Sequence, residues 1–282
     1  MTEWLGGIDE AGLGALLGPL VHGAVRAPIG WENKFPVREA LRDSKLIYSS
    51  GRGLARMEAA VVSAARLAGW NGNSLVSLLR FLNCSPLPLA PSCFDLSDLP
   101  FPLFCEQLPA PPVLRGFKVH ARVTLPASFN AVVSRFNKGQ LAMMRLYGLM
   151  RLVFDPEESG HLVVDKQGGR NNYISFLFER NGNRLVAPLR EGHEVSSYMI
   201  GLAQVDFSKG AEELHSEVAL ASVVAKYVRE CYMLRFNEYW TSKVPGLAPT
   251  AGYPSDAPRF FNEISEAAAK LGIERETLLR AR

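Results

Sequence analysis

The segment Gly7-Ile8-Asp9-Glu10-Ala11-Gly12-Leu13-Gly14 sets two adjacent carboxylates between an apolar run and a glycine-rich turn. Side chains alternate along a strand, so Asp9 and Glu10 converge only where the strand ends. Gly12 and Gly14 supply the freedom to end it. Two carboxylates at one strand end repel each other. They are tolerated in a solvated turn, or with a cation between them. With neither thiolate nor imidazole nearby, the donors are oxygen only, which suits Mg²⁺ or Mn²⁺. Asp165 weighs toward the cation. It closes the short apolar run His161-Leu162-Val163-Val164-Asp165 and is followed by Lys166-Gln167-Gly168-Gly169. Two strands that both end in acid and then glycine predict one site at the edge of one sheet.

Two further clusters have the right residue types. Ser222, Lys226 and Glu230 repeat at i, i+4 and i+8 and share a helix face. Glu230 is either a surface partner of Lys226 or a fourth carboxylate of the site. Asp43-Ser44-Lys45 precedes a helix start, and Lys45 can meet a phosphate or an acid. A serine nucleophile is disfavoured: Ser222-x-x-x-Lys226 is one residue longer than Ser-x-x-Lys, and no Gly-x-Ser-x-Gly occurs.

The elements that must position these groups are legible. Strands are expected over 3–9, 19–28 and 161–165, with two more inside 184–207. Residues 117–125 alternate strictly, with Lys118, His120, Arg122 and Thr124 on the outer face. Helices are expected over 50–68, with Gly69 past its end, and from Asn137 to about Val153. The spacing of Asn137 to Gln140 is that of a capping box. A long helix covers 216–240. A last helix is expected after a Ser255 cap, with Pro258 in its first turn and Gly272 as its stop. Strands followed by mixed strands and helices indicate an α/β domain on a mixed sheet.

Composition narrows the function classes. The 282 residues are 48% hydrophobic and carry a formal net charge of +3, which excludes disorder and bulk electrostatic binding of nucleic acid. Charge is nonetheless segregated. Residues 84–114 hold eight of the 18 prolines, three acids and no Lys or Arg, and read as a surface insertion. Residues 115–154 carry seven Lys or Arg and no acid. That is either a solvated face or a basic track. The four cysteines form no CxxC pair, so free thiols in a reducing cytoplasm are expected. No membrane span and no signal peptide are expected.

Several of these segments together resemble type 2 ribonucleases H (ribonuclease HII). The similar motifs are Gly-Ile-Asp-Glu-Ala-Gly-x-Gly with Gly18-Pro19, Leu41-Arg42-Asp43-Ser44-Lys45-Leu46, Asn137 through Met144, Val163-Val164-Asp165, Ala221 through Glu230, and Gly252-Tyr253-Pro254-Ser255. They occur in order from residue 6 to 255. The resemblance implies a ribonuclease H-like fold: a mixed β-sheet flanked by helices, with a catalytic domain over 1–240 and a C-terminal helical extension over 241–282 packed on it. It implies an endonuclease that cleaves the RNA strand of RNA/DNA hybrids, or ribonucleotides embedded in duplex DNA, leaving 5′-phosphate and 3′-hydroxyl ends. Asp9, Glu10, Asp165 and Glu230 would hold two Mg²⁺ or Mn²⁺ ions about 3.5–4 Å apart. Gly12, Leu13, Gly14, Ser44, Lys45 and Tyr253 would bind substrate, Tyr253 by stacking on a sugar. A monomeric cytoplasmic protein is expected.

The sequence also departs from that pattern. Leu13 replaces an arginine, Glu230 stands where aspartate is usual, and Ser255 replaces threonine. Residues 84–114 and 170–210 are longer, and a C-terminal His-Arg segment is missing from 278–282. Two other readings compete. One is a non-catalytic relative that binds nucleic acid. The other is a dinucleotide-binding oxidoreductase, disfavoured because Gly12, Gly14 and Gly18 give G-x-G-x-x-x-G, one residue too long.

Overall fold

A computed structural model of the chain describes residues 3–41, 53–84, 91–166, 170–180 and 184–281. Seven strands form one sheet: β1 (Trp4–Ala11), β2 (Leu20–Pro28), β3 (Lys118–Thr124), β4 (Gly160–Asp165), β5 (Val186–Arg190), β6 (Val195–Ile200) and β7 (Ala203–Ser208). Their spatial order is β3-β2-β1-β4-β7-β6-β5. The three central strands β1, β4 and β7 are parallel, and every other pairing is antiparallel. The sheet is therefore mixed, as expected. The region 184–207 differs: three strands stand there rather than two, and β5 and β6 extend the sheet as a hairpin beyond β7.

The helices are α1 (Gly53–Leu67), α2 (Leu75–Phe81), α3 (Pro126–Val133), α4 (Lys138–Val153), α5 (Ile174–Arg180), α6 (Ser216–Thr241), α7 (Ala257–Lys270) and α8 (Arg275–Leu278). Asn137 and Gln140 make both hydrogen bonds of the capping box that opens α4. The cap of α7 is Asp256, not Ser255, and its side chain makes no hydrogen bond to the helix start. Asp256 instead accepts from the Thr250 hydroxyl at 2.7 Å, so the preceding turn is built by Thr250. The chain also continues past Gly272 into α8.

The long helix α6 is the axle of the molecule. Its sequence reads as amphipathic, yet from Glu217 to Met233 only Lys226 and Glu230 reach solvent even in part. A helix apolar on most of its circumference must be enclosed. One side lies directly on β1 and β2. A Cβ on Gly7 would come within 2.3 Å of the backbone of Glu217 and Val218. At Gly23 it would come within 2.2 Å of the Ala221 carbonyl. Any side chain at either position would lift the helix off the sheet. The other side of α6 meets α1, and Phe94 stacks on Phe236 at 5.3 Å.

Phe94 belongs to the proline-rich stretch, which is more deeply fixed than a surface insertion. Cys93, Phe94 and Leu96 are all buried. The buried Glu58 of α1 accepts backbone N–H groups of Leu103, Phe104 and Cys105 at 2.7–2.8 Å, and the Tyr227 hydroxyl at 2.9 Å. One carboxylate thus ties the stretch to both α1 and α6. At the chain's end, Ala257, Phe260, Ile264 and Leu278 join the same core as α6.

The topology also decides against a dinucleotide site. A first crossover helix would follow β1 in that fold. Here β1 turns back into an antiparallel β2.

Candidate active site

Side by side in register, β1, β4 and β7 release their C-terminal ends at one edge of the sheet. Pairing of β1 with β4 stops at Ile8–Val164, while β1 continues against β2 to Ala11. Strand β1 therefore does not end at Asp9. It loses its β4 neighbour there, and the gap admits the acids. Asp9 and Asp165 are the next residues on the two strands. After β7 the chain passes Lys209-Gly210 into a 3₁₀ turn (Ala211–Glu213), which brings Glu212 to the same edge.

Asp9 is buried. Burial first, and then the charges of Asp165 and Glu212, push its carboxyl up to about 6, against hydrogen bonds from Ser222 and the Glu10 N–H. Asp165 is raised too, by burial and then Glu212, while the Ala211 N–H at 2.8 Å and Lys226 hold it back. Glu212 accepts from the Ser222 hydroxyl at 2.9 Å and from Lys226 Nζ at 3.2 Å. Ser222 is thus shared by Glu212 and Asp9. One hydroxyl proton serves only one carboxylate at a time, and the Glu10 N–H also donates to Asp9 at 2.7 Å. Glu10 is half-buried, and its charge acts on the Tyr173 hydroxyl together with that of Asp165.

Sequence reasoning missed Glu212. The i, i+4, i+8 pattern put Ser222, Lys226 and Glu230 on one face of α6; in the structure Ser222 and Lys226 hold an acid from the preceding turn. Glu230 lies eight residues beyond Ser222, about 12 Å along the helix axis. It forms an ion pair with Arg229 at 3.7 Å, while Lys226 pairs with Glu212. The available signal was Lys209-Gly210 closing an apolar strand, the same kind of ending that follows Asp165.

The glycine turn is braced from two sides. Gly12 has φ +84°, and a Cβ there would fall 2.5 Å from Arg229 Nε. Arg229 also lies over the Tyr253 ring at 5.1 Å and donates to the Ala251 carbonyl at 2.8 Å. Tyr253 is 42% exposed, hence open to stacking. Gly14 faces open space. Leu13 packs beside Leu20, Phe129 and Leu141. A guanidinium nevertheless reaches this turn from the other end of the chain. The buried Arg280 donates through Nη2 to the carbonyls of Gly12 and Ala15, and its backbone N–H donates to the Leu16 carbonyl at 2.8 Å. Ser44 and Lys45 lie outside the described residues.

The metal question turns on donor chemistry. Among the described residues, no group of three or more His, Cys, Asp or Glu side chains is drawn tightly enough to enclose an ion. The donors at the strand ends are all carboxylate oxygens, one of them buried with its proton affinity raised. That fits a hard divalent cation rather than zinc.

No family model and no curated protein matches the sequence. Solved structures do match. A PCNA:RNase HII complex from Archaeoglobus fulgidus aligns with TM-score 0.53 and 18% identity, covering 99% of this chain and 94% of that one. Ribonuclease H2 from Pyrococcus horikoshii gives 0.54 and 17%, covering 98% and 92%. A Bst-RNase HIII variant gives 0.52 and 17%, covering 99% and 66%. The fold is that of the type 2 ribonucleases H. The type 2 ribonuclease H fold accounts for the mixed sheet, the central helix and the C-terminal helices together. Within it, the three acids at the parallel strand ends occupy the edge where open α/β sheets bind ligands.

Proposed function

We propose that the protein is a metal-dependent endonuclease acting on the RNA strand of RNA/DNA hybrids, or on ribonucleotides embedded in duplex DNA. The observation that carries this reading is the convergence of Asp9, Asp165 and Glu212 at one sheet edge, with Asp9 pushed up to about 6. The fold likeness to ribonucleases HII and HIII and the ordered sequence motifs support the same reading. In this proposal Asp9, Glu10, Asp165 and Glu212 hold Mg²⁺ or Mn²⁺, while Glu230 on α6 shields the flank. A bound divalent cation would supply Lewis acidity and lower the pKa of a coordinated water.

The protein's own groups do the positioning. Ser222 donates to Glu212 beside Asp9, and Lys226 offsets the negative charge of the cluster. The 12–14 backbone, pinned by Arg229 and Arg280, offers groups to a sugar, and Tyr253 offers a ring face beside it. We assign catalysis to 1–240, with 241–282 as an extension on the same body, and propose a monomer working in the cytoplasm.

The test is a cleavage panel in Mg²⁺ and in Mn²⁺, with an RNA/DNA hybrid, a DNA duplex carrying one ribonucleotide, and an all-DNA duplex. Cutting of the first two, leaving 5′-phosphates, is expected. Binding without cutting in either metal would establish the non-catalytic alternative.

A further inference from the structure

We propose that Arg122 and Arg145 form a second anchoring site, for a backbone phosphate of the duplex, at the β3 edge of the sheet. It deepens the nucleic-acid reading above and rests on it. The two guanidiniums share a cavity of about 280 Å³ that also takes in Asn83, Ser128 and Tyr232. Its construction favours charge. Arg122 lies flat against α4 only because residue 148 is glycine: a Cβ there would stand 2.0 Å from Arg122 Nη1. Arg145 projects from the same helix one turn earlier, and its Nε is buried with no hydrogen-bond partner among the described residues.

Among the described residues, no carboxylate neutralises the pair. Arg26, Arg184, Arg229, Arg235 and Arg259 each face an acid. Arg122 and Arg145 face none there. Residues 115–154 contain no acid, and neither does 85–90, the stretch following Asn83 and Cys84. His22, paired across from Arg122, is fully buried and adds no charge. Burial, then Arg145 and Arg122, hold it down at about 3. Guanidiniums brought together without a carboxylate suit a phosphate, which takes two N–H donors at once.

The placement relative to the acids matches a duplex. Glu10, His22 and Arg122 are register partners across β1, β2 and β3. Two inter-strand steps of about 4.8 Å put Arg122 roughly 10 Å from the strand that carries Asp9 and Glu10. That separation lies within a few phosphates of the reacting bond on one strand.

Binding of an all-DNA duplex in Mg²⁺, followed by fluorescence anisotropy across a salt series, tests the site without any cleavage. Combined substitution Arg122→Gln and Arg145→Gln is expected to weaken Kd about tenfold and to lower the slope of log K against log salt by about 2, one for each positive charge withdrawn from the phosphates. Cleavage at saturating substrate should be unchanged. Binding within about twofold of the unsubstituted protein with an unchanged slope overturns the proposal. So does a site that takes inorganic phosphate alone, lost in the variant while duplex binding is untouched. If the double variant melts early, Gly148→Ala carries the test. Its methyl takes the place of Arg122 Nη1 and displaces the guanidinium with no charge removed, so Kd should weaken by about threefold or more, and unchanged binding overturns the site. Failure of the nuclease reading shows only in the cleavage panel, so the two results separate.

Discussion

At the scale of single residues, the proposed chemistry turns on the acid that joins Asp9 and Asp165. Asp9 and Asp165 are placed by strands, and their partner is placed by a turn. Glu212 holds both Ser222 and Lys226, so its removal leaves a half-buried ammonium and a buried hydroxyl without this acceptor. Glu212→Gln is therefore expected to lower kcat at least about a hundredfold, the scale of a lost charged group in a preorganised site. Glu230→Gln should cost less than about tenfold, because it touches a flanking ion pair. Single-turnover cleavage of a one-ribonucleotide duplex measures both. Equal losses would return Glu230 to the metal set. Asp9 and Asp165 were legible because each closes an apolar run. Glu212 was not, because it lies in a three-residue 3₁₀ turn whose position depends on where β7 ends. The 184–207 stretch that leads into that strand reads as two strands and holds three.

At the scale of elements, local signals predicted what local physics determines. The capping box at Asn137 and the alternation of β3 as far as Arg122 were readable because a few neighbouring residues settle them, while Thr124, expected on the outer face, is buried. The register that sets β1 beside β4, and the tail that braces the glycine turn, depend on contacts far apart in sequence. Arg280 bonds carbonyls 268 and 265 residues away. Leu13 reads in the sequence as a lost arginine, and nothing in the sequence signals that a guanidinium from the far terminus is buried against the carbonyls of the same turn. Beneath that turn, Arg280 lies over Phe129 at 4.9 Å, and Leu279 bridges to Leu17. Replacing Arg280 by Met keeps the stem and orphans two buried carbonyls. The expected cost is about 2 kcal/mol of stability; if the turn positions substrate as proposed and carries no reacting group, KM should rise with little change in kcat. Arg280→Lys, which keeps one donor, should recover part of the KM. A melting curve together with steady-state kinetics measures the effect. A variant with unchanged KM would make the tail a purely structural brace.

At the scale of the whole molecule, the near-neutral net charge of +3 conceals an acidic strand edge set against a basic flank. The acidic edge carries a thermodynamic consequence. Asp9 has a folded pKa of about 6 against 3.8 for the free side chain, so between those values the native state binds protons that the unfolded chain has released. Its stabilising contribution is complete below about pH 4 and is lost as pH rises through about 6, a swing of about 3 kcal/mol. Asp165 and Glu217 are raised as well and act with the same sign. Over pH 5 to 8 the histidines held low by burial, His22, His120 and His215, act with the opposite sign, so the Asp9 contribution is read from the variant and not from the wild-type Tm alone. Asp9→Asn, uncharged throughout, should gain in metal-free Tm relative to wild type as pH rises from 5 to 8 while abolishing cleavage. Mg²⁺ or Mn²⁺ binding to the native state alone would restore stability at pH 8, by about 2.7 kcal/mol at a hundred times Kd, and that rescue should vanish in Asp9→Asn. Differential scanning fluorimetry at both pH values, with and without about 10 mM cation (a hundredfold over a Kd of about 0.1 mM, within the range of oxygen-ligand sites), gives all of these readings. A wild-type Tm that is insensitive to cation at pH 8, with Asp9→Asn melting no higher, would mean that the buried carboxylates are satisfied by the protein alone. Cleavage would then need another explanation.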